Sequence, residues 1–264
     1  KDLLAWYRVH SDPKMQINLP PLDALAVETG PLDFEVVVED TNRCPRYSGI
    51  CLDNVTIAPS PAWLEEKIKA MGQNPVNNLV DITNLVMFEM GQPLHAFDYD
   101  RIEGHSLHIG TLAEGTSFTT LDQQERKLRS SDLMICDRHH KPLCIAGVLG
   151  ELESGIKDNT KRVFLESAHF QASSIRLSSM GHNIRTQAAK CFEKGSDPNA
   201  TITALQRAVY LLKLCCNAKV AAPVIDIYPE KVKPAEIHLE TEEVKKWSGI
   251  QLDTEKLKSI LFAM

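Results

Sequence analysis

Apolar residues between Asn77 and Asp98 recur at helical spacing and predict an amphipathic helix. They are Leu79, Ile82, Leu85, Val86 and Met90. Polar residues that a plain core helix does not need stand between them, namely Asp81, Thr83, Asn84 and Glu89. The helix is expected to end near Gly91, because glycine ends helices well and Pro93 cannot continue one. His95 is therefore predicted to lie just past a helix end, on a stiff segment.

Shorter apolar or alternating runs predict strands in most of the remaining chain. The candidate strands are 34–39, 47–57, 107–112, 117–121, 133–136, 143–148 and 163–166. Further helices are predicted at 62–71, 173–180 and 198–215. Ser60 and Pro61 precede the first of these as its expected N-cap and first-turn proline. Because strands and helices do not alternate as βαβ units, the pattern predicts an α+β fold with mixed β-sheets of sandwich character, flanked by a few helices.

The two ends of the chain differ from its middle. Residues 1–32 are rich in proline and charge, which predicts a linker or the end of a preceding domain. From Val232 onward the composition shifts towards Lys and Glu, and the pattern predicts a strand at 236–239 followed by helices at 241–249 and 254–262. The middle, residues 33–228, is predicted to form one functional domain.

Composition and charge narrow the class of protein. No run of about 18 apolar residues occurs, so no membrane span is predicted. Seven cysteines without a Cys-x-x-Cys pair oppose a disulfide framework or a structural zinc site, and they favour buried thiols in a reducing cytosol. The net charge of −6 opposes nucleic-acid binding through overall basicity. Residues 161–194 carry six basic and two acidic side chains, which indicates either a solvated face or a local RNA-facing patch.

Four sequence blocks occur together in an order that is typical of one family. They are NNLVDITNLVMFEMGQPLHAFD at 77–98, KPLCIAGVLG at 141–150, LESAHF at 165–170 and IRTQAAKCFEKGSDP at 184–198. With these blocks the chain resembles the editing module of the beta subunit of bacterial phenylalanyl-tRNA synthetase. The resemblance implies that residues 33–228 are a tRNA-editing domain, which hydrolyses the ester of misacylated Tyr-tRNA(Phe). It also implies that residues 229–264 are the truncated start of the next module.

The resemblance assigns catalytic roles to two residues. Glu166 would accept the phenolic hydroxyl of a misattached tyrosine, and His95 would lie near the scissile ester and the terminal ribose. From the residues alone, Glu166 could instead pair with a nearby arginine such as Arg176 or Arg185, and His95 could be structural. No Gly-x-Ser-x-Gly, His-Glu-x-x-His or Walker motif is present, so hydrolysis would use a positioned water and no side-chain nucleophile.

Five further residues would bind the substrate in the same family. The resemblance implies that Thr186 and Ala188 line the amino-acid pocket, and in an extended segment both side chains would point the same way. Gly147 would let the backbone approach the substrate, or would only permit a strand bend. Thr83 and Asn84 would lie near the amino acid and ribose, or would be solvent-facing or capping residues. One departure is Asn74, where many members have an arginine before the proline.

The resemblance also implies partners. It predicts no cofactor or metal in this fragment. ATP and magnesium would be used by the holoenzyme, which would be a cytoplasmic α2β2 heterotetramer formed with the alpha subunit. The chain would bind the acceptor end of tRNA(Phe) and a tyrosine or tyrosyl ester. It would not bind a membrane. Two alternatives remain: a non-catalytic RNA-binding and subunit-packing scaffold of the same synthetase, and a stand-alone hydrolase of D-amino-acid or peptide esters, for which no nucleophile is evident.

Overall fold

The computed structural model describes residues 2–12, 14–16, 18–151 and 155–263. It divides the chain into two compact units. One unit is Pro21–Lys231, and the other combines Lys1–Pro20 with Val232–Met264. The functional division at residues 33 and 228 stays a prediction, since compactness does not test function.

Helices occur in both units, and all of the strands that the structure describes lie in the larger unit. The helices are α1 Asp2–His10, α2 Ala62–Ala70, α3 Asn78–Met90, α4 Ala172–Gly181, α5 Gln187–Glu193, α6 Ala200–Cys216, α7 Thr241–Ser248 and α8 Thr254–Ala263. The strands are β1 Glu35–Val38, β2 Arg46–Asp53, β3 His95–Asp98, β4 Ser106–Thr111, β5 Ser117–Thr119, β6 Glu125–Lys127, β7 Leu133–Asp137, β8 Pro142–Ile145, β9 Leu149–Gly150, β10 Val163–His169, β11 Lys219–Val220 and β12 Ile225–Ile227.

The larger unit contains two main sheets, and the predicted α+β class is confirmed. The first sheet has the order β1-β4-β7-β8-β9, in which β1 runs parallel to β4 and the other pairs are antiparallel. The second has the order β11-β2-β10-β3, with β12 also paired to β2, and all of its pairs are antiparallel. Strands β5 and β6 form a separate hairpin.

The second sheet is buried on both faces. Alternate residues of a strand point to opposite faces, so neighbours on β10 enter different cores. Phe164 joins a cluster that also contains Ile109 and Ile135 of the first sheet. Leu165 joins a second cluster, which is formed with helices α2, α3 and α6. The fold therefore layers one sheet against another on one face and against helices on the other, which agrees with the predicted sandwich character.

Helix α3 forms as its pattern predicts. Asn77 caps its N-terminus by accepting a hydrogen bond from the Val80 backbone N–H at 2.9 Å. Gly91 ends it in the left-handed conformation with φ +71°. The predicted core residues Leu79, Ile82, Leu85 and Val86 are buried, and Met90 is partly buried.

The expected capping of α2 by Ser60 is wrong. Pro61 is the N-cap, without a side-chain hydrogen bond. The Ser60 hydroxyl instead donates to Asp81 Oδ2 at 2.5 Å, and the Val76 backbone N–H donates to Asp81 Oδ1 at 3.0 Å. Asp81 is fully buried, so these bonds provide its required partners. The polar residue inside α3 thereby fixes the segment that leads into the helix.

Several predicted elements change in type or extent. His95 lies just past the end of α3, as predicted, and it begins strand β3, because residues 95–98 pair with β10. Residues 236–239 were expected to form a strand, and the structure has none there. Helices α7 and α8 match the two helices predicted after it. In the smaller unit, Arg8 Nη1 donates to the Ala263 carbonyl at 3.2 Å.

Candidate functional site

A cavity of ≈ 750 Å³ lies in the Pro21–Lys231 unit. Its walls come from β3, β10, the turn between β8 and β9, one face of α3 and the start of α5. All seven residues predicted for the site line it, namely Thr83, Asn84, His95, Gly147, Glu166, Thr186 and Ala188. This volume falls in the range of typical small-molecule sites, about 300–1,000 Å³. The structure therefore brings the predicted residues together, while their chemical roles stay predictions.

Glu166 and His95 are direct partners across two antiparallel strands. Residue 166 of β10 is in register with residue 95 of β3. Directly opposed residues of such a pair project to the same face of the sheet. That face is the one carrying Phe164 and Phe97, which belong to the cluster between the two sheets. The carboxylate and the imidazole thus enter the cavity side by side.

The Glu166 carboxylate is buried and has one protein partner in the part of the chain that the structure describes. Only 5% of the residue is exposed. The Tyr47 hydroxyl donates to its Oε2 at 2.7 Å. Burial raises the pKa of Glu166 to about 7, and the hydrogen bond from Tyr47 partly opposes that rise. The alternative pairing with Arg176 or Arg185 is wrong, because Tyr47 is the partner.

His95 supplies an imidazole that is neutral at pH 7. Burial lowers its pKa to about 4. Its Nε2 atom is out of solvent contact and has no hydrogen-bond partner among the described residues. Gly150 packs against the ring, since a Cβ at that position would lie 3.5 Å from Nε2. A buried ring nitrogen without a partner can accept from or donate to a bound ligand or water.

The segment of Thr186 and Ala188 is helical, and the prediction that it is extended is wrong. Thr186 is the N-cap of α5, and its Oγ1 accepts from the Ala189 backbone N–H at 3.1 Å. The same hydroxyl donates to the Val148 carbonyl at 2.9 Å. Ala188 lies in the first turn of α5 and lines the cavity with its methyl group. Thr186 therefore joins α5 to the β8–β9 turn.

Gly147 occupies that turn in the left-handed conformation, with φ +66°. A Cβ there would lie 2.9 Å from Phe192 and 3.0 Å from both Ile175 and Phe170. A side chain at this position would thus project into the hydrophobic core, while Gly147 also lines the cavity. The requirement for glycine comes from the turn and from this packing. The structure supplies a physical reason for glycine that does not depend on a substrate.

One face of α3 forms a further wall. Val80, Thr83, Asn84 and Met87 follow at helical intervals and line the cavity. The Thr83 hydroxyl donates to the Val80 carbonyl at 2.7 Å within the helix. Leu79 also reaches the cavity from the edge of the buried face. One face of α3 therefore packs into the core, and another face lines the cavity.

Some contributing residues were not predicted from the sequence. Tyr47 stood in the predicted strand at 47–57, and no local signal connected its hydroxyl with Glu166. Gly150 lies at the end of a recognised block, but its contact with His95 depends on tertiary packing. Arg185 lines the cavity and is exposed, whereas Asn74 is exposed and outside the lining. Arg185 thus places a cation on the cavity wall, and Asn74 is not part of that wall.

Other candidate features have simpler roles. The seven cysteines are free, and five of them are buried. His139 and His140 are exposed. Across the described ranges, no group of three or more His, Cys, Asp or Glu side chains could hold a metal ion. None of the helices that the structure describes is long and apolar enough to cross a membrane.

Sequence and structure comparisons identify relatives. The model of the B3/4 domain family matches residues 43–217. The phenylalanine–tRNA ligase beta subunit of Bacteroides fragilis is 39% identical over 264 residues, which cover 100% of this chain and 32% of that protein. The beta subunit of Porphyromonas gingivalis is 43% identical over 228 residues, covering 86% of this chain and 28% of that protein.

A solved structure of an N-terminal fragment of the phenylalanyl-tRNA synthetase beta subunit from Pyrococcus horikoshii also aligns. The alignment covers 90% of this chain and 66% of that chain, at 14% identity and a TM-score of 0.49. The chain spans about a third of the length of the curated relatives it matches. Because the family model covers more than half of the 264 residues, the chain belongs to the B3/4 domain family.

Proposed function

We propose that the cavity is an editing site, which hydrolyses the ester of tyrosine misattached to tRNA(Phe). The observation that carries this proposal is the opposed pair of Glu166 and His95 inside a lined cavity of ≈ 750 Å³. The first residue is a buried carboxylate that can recognise a phenol, and the second is a neutral imidazole that can position water. Similarity to phenylalanine–tRNA ligase beta subunits over the whole chain supports this substrate.

Recognition of tyrosine follows from the burial of Glu166. Tyr47 binds Oε2, which leaves Oε1 for a ligand. A tyrosine phenol can donate a hydrogen bond to that oxygen, whereas a phenylalanine ring has no donor. A buried acceptor that is left unpaired costs about 1–3 kcal/mol, and more when it is charged. The site would therefore retain tyrosine and release phenylalanine.

Such a second site has a clear advantage for an enzyme that charges phenylalanine. An apolar amino-acid pocket rejects an added hydroxyl by only about 10²-fold, as measured in other synthetases. A site that requires the hydroxyl can discriminate by about 10⁴- to 10⁵-fold. Because Glu166 would require the hydroxyl, tyrosine would be hydrolysed from the tRNA and correctly attached phenylalanine would remain.

Hydrolysis needs a water molecule, a proton acceptor and a donor for the oxyanion. His95 is neutral at pH 7, since burial lowers its pKa to about 4. Its Nε2 can accept a proton from water in one tautomer, or donate to the ester oxygen in the other. Gly150 leaves the ring edge uncovered by a side chain. His95 would thus position the water or the oxyanion beside the bound amino acid.

The remaining assignments concern the longer protein. We infer that this chain is part of a phenylalanine–tRNA ligase, acting with an alpha subunit in a cytoplasmic α2β2 assembly. The acceptor end of tRNA(Phe) would enter the cavity with the tyrosyl ester. ATP and magnesium would serve aminoacylation in the holoenzyme, with no cofactor in this domain. The exposed basic side chains Arg176, Arg185, Lys190 and Lys194 offer a surface for RNA.

Deacylation of Tyr-tRNA(Phe) by the ligase that contains this chain tests the proposal. Glu166→Ala is expected to reduce hydrolysis about 10- to 100-fold, the equivalent of a hydrogen bond to a charged group. Glu66→Ala, on the exposed side of α2, is the control. Undiminished hydrolysis in the Glu166 variant would remove the assigned role. Tyrosine soaked into crystals should then also be absent beside Glu166, which would favour a non-catalytic scaffold.

A further inference from the structure

Tyr47 lies behind the carboxylate of the proposed editing site. It is fully buried on β2 and belongs to the cluster between the two sheets. Its hydroxyl donates to Glu166 Oε2 at 2.7 Å. Tyr47 is not among the described residues that line the cavity, so its ring does not form part of the cavity wall. The tyrosine therefore acts on the cavity through the carboxylate.

The strand register explains why Tyr47 reaches Glu166. The residue of β2 directly opposite Glu166 is Gly49, which has no side chain. The ring of Phe164 covers that position, because a Cβ on Gly49 would lie 2.2 Å from Phe164 Cζ. Tyr47 is two residues away on the same face and reaches the carboxylate diagonally. This arrangement leaves the phenol of Tyr47 as the donor from β2.

The groups that face Glu166 come from several elements. Tyr47 belongs to β2, Cys44 precedes β2, Cys144 belongs to β8 and His95 belongs to β3. Burial raises the pKa of Tyr47 and of both thiols well above their usual values, so all three keep their protons. Burial also keeps His95 uncharged at pH 7, because it lowers the pKa of an imidazole. Within this set, Tyr47 is the group whose proton is directed at Glu166.

We propose that Tyr47 is the positioning residue for the specificity carboxylate, holding Oε2 so that Oε1 faces the cavity and favouring the anionic form. This inference rests on the proposed editing function. The phenol of a misattached tyrosine then meets an oriented acceptor, and a phenylalanine ring meets an unpaired one. Tyr47 thereby sets both the direction and the charge of the group that distinguishes the two amino acids.

The proposal predicts a change in pH dependence when the hydroxyl is removed. The hydrogen bond from Tyr47 lowers the pKa of Glu166 against the effect of burial. Tyr47→Phe should therefore raise that pKa further, by about one unit, which is tenfold in the protonation equilibrium. The acid limb of Tyr-tRNA(Phe) deacylation should move about one pH unit towards alkaline values. The preference for Tyr-tRNA over Phe-tRNA should fall at pH 7 and recover near pH 9.

The experiment compares Tyr47→Phe with Tyr99→Phe in the assembled ligase, from pH 5.5 to 9. Tyr99 is also buried, and its hydroxyl donates to the Asp33 carbonyl at 2.8 Å away from the cavity. Only Tyr47→Phe should shift the acid limb and the selectivity. An unchanged pH profile and unchanged selectivity in this variant would overturn the proposal. A merely structural loss would lower the rate equally at every pH.

A direct titration separates this inference from the editing proposal. In the wild-type chain, the ¹³C signal of the Tyr47 ring carbon that bears the hydroxyl should titrate with a midpoint near 7, the pKa of Glu166. In Glu166→Gln the same signal should lose that titration. If the Tyr47 signal titrates in the same way in the wild type and in Glu166→Gln, the inference is refuted. This test does not depend on the folding of a Tyr47 variant. Absence of Tyr-tRNA(Phe) deacylation by the wild type would instead refute the editing function.

Discussion

Glu166 and His95 are opposed across the β10–β3 pair, and burial moves their pKa values in opposite directions. The carboxyl group has a raised pKa of about 7, and the imidazole has a lowered pKa of about 4. Near pH 5.5 both side chains are therefore uncharged in the folded chain. At pH 7 the imidazole stays neutral while the carboxyl group begins to ionise. The pair consequently reaches neutral pH with a neutral base beside a partly ionised recognition group.

This relationship predicts opposite pH dependences of stability for two variants. The raised pKa of Glu166 stabilises the fold below pH 4.5, and that contribution is lost as pH rises to about 7. The lowered pKa of His95 stabilises the fold above pH 6.5, and that contribution is lost as pH falls to about 4. Between these limits folding takes up one proton and releases another, so the two effects largely cancel in the wild type.

Urea unfolding from pH 4 to 8 would measure each contribution. Relative to wild type, Glu166→Gln should gain about 3 kcal/mol of unfolding free energy between pH 4.5 and 8. His95→Gln should gain about 2 kcal/mol as pH falls from 7 to 4, a smaller value because His95 as a whole is half-buried, although its Nε2 atom is enclosed. Glu66→Gln on the exposed side of α2 is the matched control. Curves parallel to wild type for both variants would contradict the assignment.

Enlarging Ala188 should close the cavity. Its methyl group lines the wall from the first turn of α5, so a larger side chain would occupy the space offered to the amino acid. Ala188→Phe should reduce Tyr-tRNA(Phe) deacylation at least about tenfold, the equivalent of 1.4 kcal/mol, with unchanged thermal stability within a few degrees. Ala172→Leu, at the start of α4 and outside the cavity, controls for helix substitution. Full activity in Ala188→Phe would show that the substrate lies elsewhere.

Replacing Gly147 should destabilise the turn and the core together. An alanine there must adopt φ +66° and place its Cβ 2.9 Å from the Phe192 ring. The left-handed conformation costs about 1 kcal/mol, and overpacking adds about 1–3 kcal/mol. Gly115→Ala isolates the first effect, because Gly115 has φ +81° with nothing within 4 Å of the added Cβ. Equal losses of unfolding free energy in the two variants would contradict the packing explanation.

Thr186 should contribute to stability through its hydroxyl. Thr186→Val keeps the shape but removes the bonds to the Ala189 N–H and the Val148 carbonyl. The loss of an N-cap costs about 0.5–2 kcal/mol of unfolding free energy. Thr186→Ser retains the hydroxyl and should restore most of it. A stable valine variant with intact α5 would contradict the linkage between α5 and the β8–β9 turn.

Local patterns predicted much of the fold. The core stripe of α3 and its end at Gly91 agree with expectation. These features depend on side-chain periodicity and on glycine conformation, which short segments encode. The short strands β11 and β12 were missed because each has only two or three residues and depends on β2 for its pairing. The strand expected at 236–239 failed because strand propensity without a pairing partner does not form a sheet.

The amino-acid sequence determined which residues are candidates for the site, because four blocks in order marked Glu166, His95 and the residues around them. Tertiary structure decided what those residues touch. The β10–β3 register opposed Glu166 and His95, and the β2 register brought Tyr47 to the carboxylate across 119 positions of the chain. Burial then shifted both pKa values. Register and burial arise from long-range packing, so no local pattern could specify them.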